Sequence, residues 1–182
     1  MPSELSVGKL DAARRQLKTA ICLYIHEGDP ISIHTLTAAA YNVIRDINKR
    51  RGGKSMFVKR VDIVKPQHIK EFQRKLNEAE NFFKHADRDP DGTLKFKPDI
   101  TEYLILDACF KYYELTGETI PACDHFVRWF MLNHPNLFVL TPEEEKLHKL
   151  LSRDKPSRQT YFSTVLGMTG IAENSAYRIT PL

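Results

Sequence analysis

Asn81 and His85 stand four residues apart in the stretch AENFFKHADRDP, residues 79–90, the densest polar segment of the chain. On a helix, that spacing puts two side chains on one face about a turn apart. A histidine there can act as acid, base or phosphate contact. Asn81 can orient the imidazole, or a bound phosphate, by hydrogen bonding, and Lys84 adds a positive donor beside it. His85, Asn81 and Lys84 are therefore the candidate catalytic group. A plainer reading covers the same residues: His85 ends a helix, where a cation favours the dipole, and Asn81 is merely solvated.

Two further patterns carry possible chemistry. Asp87, Asp89, Asp91 and Gly92 read D-x-D-x-D-G, the opening half of a calcium loop. The closing glutamate would fall at Pro98, and Lys95 and Lys97 put positive charge where the ion would sit. A turn of aspartates capping its neighbours accounts for the residues more simply, so no metal is expected. The basic run Arg45, Lys49, Arg50, Arg51 and Lys54 continues in Lys59, Arg60 and Lys65, relieved only by Asp46 and Asp62. Arg45 and Lys49 share a helix face, and the Gly52-Gly53 junction can bring backbone amides to a phosphate. Phosphate backbones favour such clusters through counterion release. The first five are the candidate nucleic-acid-binding residues, although a solvated helix end has the same composition. Gly52-Gly53-Lys54-Ser55 is not a phosphate loop, since it lacks the first glycine and a preceding strand.

The segments SIHTLTAAAYNVIRDINKRRG (residues 32–52) and KLNEAENFFKHADRDPDGTL (residues 75–94) resemble a group of small bacterial proteins. More remotely, the chain is similar to the HEPN superfamily of helical bundles, over about residues 10–115. That superfamily includes RNases of toxin–antitoxin, phage-defence and CRISPR systems, alongside non-catalytic members. Its signature is an arginine, then Asn, His or Asp, and a histidine four to six residues after the arginine. Asn81 and His85 match the second and last positions, and Glu80 stands where the arginine belongs. An acid cannot stabilise the charge of a phosphorane-like transition state, and Lys84 substitutes only in part. The resemblance implies a helical bundle and, if any activity, a metal-independent RNase in which His85 acts as acid or base.

The elements that must position these groups are helices. From about Val7 to His26, Leu10, Ala13, Leu17, Ala20, Ile21 and Tyr24 recur at helical spacing with Arg14, Arg15 and Lys18 between them. Gly28-Asp29-Pro30 breaks the chain, and a second helix is predicted from Ser32 as N-cap to about Arg51, ended by the glycine pair. Residues 54–65 read as irregular with one helical turn. Pro66 opens a third helix whose stripe, Ile69, Phe72, Leu76, Ala79 and Phe83, runs to about 85–87. His34 is then a second imidazole that can meet His85 across the bundle.

Asp99 and Glu102 form a capping pair before the run Tyr103 to Tyr113, which is apolar nearly all round and reads as the central core helix, stopped by Gly117. Pro121 to Asn133 follows, with Phe126, Trp129, Phe130 and, beyond it, Phe138 read as core, part of it free to meet a partner subunit. Thr141-Pro142-Glu143-Glu144 starts a helix ending near Ser152, and a short helix follows Lys155-Pro156. The prediction is an all-α bundle of six to seven helices in one domain, 1–182, with its core at about 7–152. Residues 153–182 add a short helix and a polar tail.

Bulk composition bounds the function. The chain has 182 residues, 42% hydrophobic and 27% charged, with net charge +4, a globular composition that is only mildly basic. No apolar run reaches the roughly 18–20 residues of a membrane span, and the N-terminus lacks a signal-peptide core, so a cytoplasmic location is expected. Cys22, Cys109 and Cys123 are too few and too scattered for a disulfide scaffold or a zinc knuckle and read as small buried hydrophobes. His26, His34, His68, His125, His134 and His148 lack zinc spacing, and no dinucleotide, nucleophile-elbow or cysteine–histidine signature occurs. No cofactor is expected. The sequence thus points to a protein contacting RNA or nucleotide phosphate. The alternative is a non-catalytic protein-interaction or antitoxin-like module, and either can be a homodimer.

Overall fold

Helix α1 (Lys9–Ile25) buries Ala13, Leu17, Ala20, Ile21 and Tyr24 on one stripe, the pattern its sequence carries. The structure, a computed structural model, describes residues 4–58, 65–87, 89–137, 141–143, 145–146, 149–150 and 157–169. Helix α2 (Pro30–Arg50) begins earlier than the Ser32 start that the sequence suggests, because the Asp29 carboxylate accepts the Ser32 amide at 2.7 Å and Pro30 takes the first turn. Its other end is a Schellman cap: the Gly52 amide donates to the Lys49 carbonyl and the Gly53 amide to that of Asn48. Gly52 has the left-handed φ of 72° that the cap requires, and a Cβ on Gly53 would lie 2.0 Å from Asn48 Oδ1.

The predicted third helix is broken in two. After a 3-10 turn at Pro66–His68, α3 (Ile69–Leu76) gives way at Asn77 to α4 (Glu78–Lys84). Asparagine competes for its own backbone and tolerates a helix break well. The break also lets α4 bend onto α2, where buried Glu80 accepts a hydrogen bond from Asn42. Ile69, Leu76, Ala79 and Phe83 remain half-buried, so the stripe never enters the main core.

Helix α5 (Ile100–Thr116) ends on Gly117 at φ 67°. Its predicted capping pair is not formed: Asp99 makes no side-chain cap bond, and Glu102 turns to Tyr24 and His134 instead. Helix α6 (Pro121–Asn133) leads into a 3-10 turn at Pro135–Leu137. Residues 142, 143, 145, 146, 149 and 150 are helical, in line with the start read at Thr141. Glu144, Ser152 and Lys155-Pro156 lie outside the described residues, as do Phe138, His148 and the tail 170–182. Helix α7 (Arg158–Thr169) closes the described chain.

The fold is therefore all-α, with seven α-helices of known bounds and no strand among the described residues. Helices α1, α2, α5 and α6 surround one core in which Leu17, Ile21, Tyr41, Ile44, Ile105 and Phe126 are sealed from solvent. Full burial of each such side chain contributes about 1.5–3 kcal/mol. A satellite cluster, Leu132, Tyr161 and Phe162, docks α7 against Trp129 and Ile25. Helix α5 is not buried all round as its composition suggests: Phe110 and Tyr113 are 47% and 57% exposed.

Segment 54–58 is irregular up to a turn at Val58, and 59–64 lie outside the described residues. It is tied down by buried Asp107, whose Oδ2 accepts from Tyr41 Oη at 2.9 Å and the Val58 amide at 2.8 Å. Among the described residues, no helix is long and apolar enough to cross a membrane.

Candidate functional site

Helix α4 stops at Lys84, and His85 follows it in extended conformation, φ −133° and ψ 125°. Asn81 and His85 nevertheless face one open cleft, because the His85 amide still donates to the Asn81 carbonyl at 3.1 Å. Arg74, Glu78 and Phe82 form the helical wall of this cleft, and Asp87, Asp89, Thr93 and Leu94 its far wall. Arg74 is exposed and meets Glu78 at 3.5 Å, a pairing of the weak surface kind. It supplies, from α3, a guanidinium beside Asn81 and His85, where the local motif has only Glu80.

Lys84 lies elsewhere. Its ammonium pairs with Glu80 at 2.8 Å, and Glu80 faces α2 through Asn42. It does not line the cleft. Arg74, Glu78, Asn81 and His85 are spaced by four, three and four residues, the signature of one helix face, so the arginine was accessible to sequence reasoning. A motif window starting at residue 80 hides it. His34 does not meet His85. Its Nδ1 bonds Thr101 Oγ1 at 2.9 Å, and its ring packs edge-on to Phe83 and Phe96 within the bundle.

The basic residues divide. Arg45 and Lys49 line a second cleft, of about 510 Å³, whose opposite wall is Gln73, Leu76 and Asn77 of α3 and the residue after it. Among the described residues Arg45 is bound to exposed Asp46, at 2.9 Å. Arg50, Arg51 and Lys54 do not line it, and Arg51 Nη1 instead donates to the Leu115 carbonyl at 3.1 Å. The Gly52 and Gly53 amides do not face a phosphate, since both are consumed by the helix cap. Helix α3 is thus a ridge with a cleft on either side, Arg45 and Lys49 across one, Asn81 and His85 along the other.

A second polar constellation has no local sequence signal. Tyr24 Oη donates to Glu102 Oε1 at 2.6 Å and accepts from Trp129 Nε1 at 3.1 Å, while His134 Nε2 lies 3.3 Å from Glu102 Oε2. Burial, then the bond and charge of Glu102, push the Tyr24 phenol well above its ordinary range. Cys109 and Cys123 are buried and Cys22 half-buried, all three as free thiols. Burial raises the Cys22 and Cys109 thiols, which favours the inert protonated form.

Asp87 and Asp89 line the His85 cleft, and no group of three or more His, Cys, Asp or Glu among the described residues is arranged to hold a metal ion. No protein-family model, curated protein or solved structure matches the chain.

Proposed function

We propose that the α3–α4 face binds single-stranded RNA through its phosphates. The observation that carries this reading is the convergence of Arg74, Asn81 and His85 on one open cleft, with Arg45 and Lys49 just across the α3 ridge. Arginines and lysines on both flanks of a ridge suit a backbone laid over it, and half-buried Phe82 gives a base a ring to stack on. The acidic far wall repels phosphate and so confines it to the helical side. If the bound RNA is cleaved, His85 acts as general acid or base, Asn81 orients it, and Arg74 takes the charge-stabilising part that the HEPN-like motif assigns to its arginine. Lys84, neutralised by Glu80, has no part in this step. The setting we propose is the cytoplasm, where free thiols persist.

The test is binding and degradation of a mixed RNA pool by the wild type, His85→Ala and Arg74→Ala. Three phosphate contacts, through Arg45, Lys49 and Arg74, make affinity fall about 20-fold between about 50 and 200 mM salt. Cleavage lost in His85→Ala with binding retained identifies a nuclease. Absence of binding by the wild type at low salt ends the RNA reading.

A second reading, a protein-interaction or antitoxin-like module, rests on exposed Phe110 and Tyr113 of α5. A partner there, a second copy of the chain included, would bind with little salt dependence.

A further inference from the structure

The pocket between α1, α5, α6 and α7 shares no lining residue with the clefts beside α3. Tyr24 and Trp129 form its aromatic wall. Among the described residues its charged lining is three carboxylates, Glu27, Asp99 and Glu102, against a single cation, Arg158. That cation is seated as a ligand would be. Its guanidinium carbon lies 4.2 Å from the centre of the Tyr24 ring, and its Nε is 3.9 Å from Glu27 Oε1. A cation within about 6 Å of a ring face is held by the ring's quadrupole, and a planar guanidinium also stacks where an ammonium cannot.

The receptor side is rigid independently of Arg158. Tyr24 is only 5% exposed, packs edge-on to Phe126 with ring centres 5.3 Å apart, and has its hydroxyl fixed by Glu102 and Trp129. Glu27 reaches the rim from a left-handed backbone, φ 54°, the one non-glycine residue with positive φ among those described. It occupies the position after α1 where glycine is usual, with Gly28 one residue late. A costly conformation that presents a carboxylate to a guanidinium fits a binding rim better than a plain helix end.

We propose that this is a guanidinium-binding pocket which Arg158 fills from within the chain, so that a guanidinium ligand from outside competes with Arg158 and releases the first turn of α7. Among the described side chains, α7 is held beyond Arg158 by the cluster of Tyr161 and Phe162 on Trp129 and Leu132. The two buried rings carry most of that attachment, so displacing the stacked cation frees the first turn, which carries Arg158, while the ring cluster stays docked. The pocket stands whether or not the α3–α4 face binds RNA.

Trp129 is the only tryptophan of the chain and lies in the wall, so its emission reports directly. The full-length wild type and Arg158→Gln are titrated with methylguanidinium, with the capped peptide Gly-Arg-Gly and with its lysine counterpart. Arg158→Gln is expected to show a saturable change with both guanidinium probes and none with the lysine peptide. The wild type needs at least about tenfold more probe, since the tethered Arg158 competes at high effective concentration. Peptide binding well above that of methylguanidinium assigns the natural ligand to an arginine side chain of a partner, and equal affinities assign it to a small guanidine. Should Arg158→Gln lose its far-UV helix signal, Arg158→Lys keeps the charge without the stacking, and the same ranking is expected. No saturable change in the vacated pocket, equal response to the lysine peptide, or identical titration of variant and wild type would each overturn the proposal.

Discussion

Around Tyr24 the polar groups hold one another: a phenol, an indole N–H and an imidazole converge on or beside a single carboxylate, against the rings of Phe126 and Phe130. Along α3 and into the first turn of α4 the charges stand in the open. Arg74 meets Glu78 at 3.5 Å and Lys75 meets Glu71 at 3.3 Å, all four side chains at least half exposed. A part-buried bond braced by packed rings fixes geometry and costs more to break, whereas a surface pair within one helix is worth little and rearranges freely. The first arrangement suits a preformed pocket. The second suits a face that trades its internal ion pairs for phosphates when a polyanion arrives.

Substitutions should separate the two regions by stability first. Phe126→Ala, at a fully buried position beside Tyr24, is expected to cost about 3–5 kcal/mol. Phe82→Ala on α4 is expected to cost about 1 kcal/mol or less. Urea unfolding of both variants checks the pair, and equal losses would erase the contrast. Next in size, Glu102→Ala strands the Tyr24 hydroxyl and should cost about 1–3 kcal/mol. Glu78→Ala, which only frees Arg74, should stay within about 0.5 kcal/mol and leave RNA affinity equal or higher.

Binding should show the reverse sensitivity. The triple variant R45A/K49A/R74A is expected to keep its melting temperature while its salt slope for single-stranded RNA drops by about 2, roughly 0.7 for each lost contact. Unchanged slope would mean that phosphates lie elsewhere.

Two smaller effects sharpen the account of the pocket. Glu27→Gly relieves the left-handed strain, which costs roughly 1–2 kcal/mol, and forfeits a weak pairing with Arg158. Net stability should rise by up to about 1 kcal/mol, while α7 docking, read from Trp129 emission, loosens. The last is a matter of pH. Because the Tyr24 phenol is pushed up by burial and by Glu102, its contribution is complete below the ordinary tyrosine value of about 10. It is lost as pH rises above that value toward the folded-state one. Wild-type stability should therefore fall more steeply on the alkaline side than that of Tyr24→Phe.

The helices themselves were legible in the sequence because apolar spacing of three and four residues records a buried face. Leu17, Ile21 and Tyr24 in α1, and Phe126 and Phe130 in α6, lie where that spacing puts them. Boundaries were less so. Asp29 rather than Ser32 caps α2, and Asn77 splits a stripe that reads as continuous, since caps and breaks depend on individual hydrogen bonds. Composition misled at α5: its apolar circumference leaves Phe110 and Tyr113 to solvent, because only four helices surround the core and none of them covers that side.

What the sequence determined alone is the all-α class and the amphipathic faces, both consequences of a fixed helical repeat. Asn81 and His85 do share a cleft, but with His85 extended beyond the helix end rather than on its face. What only the tertiary structure decided is which faces meet. Periodicity states that a side chain is turned inward, and it is silent on the identity of the atoms opposite. The sequence separation of Glu102 from Tyr24 is 78 residues, and that of Trp129 from Tyr24 is 105. Their bonds, the hydrogen bond from Asn42 of α2 to Glu80 of α4, and the seating of Arg158 over Tyr24 exist only once the bundle has closed.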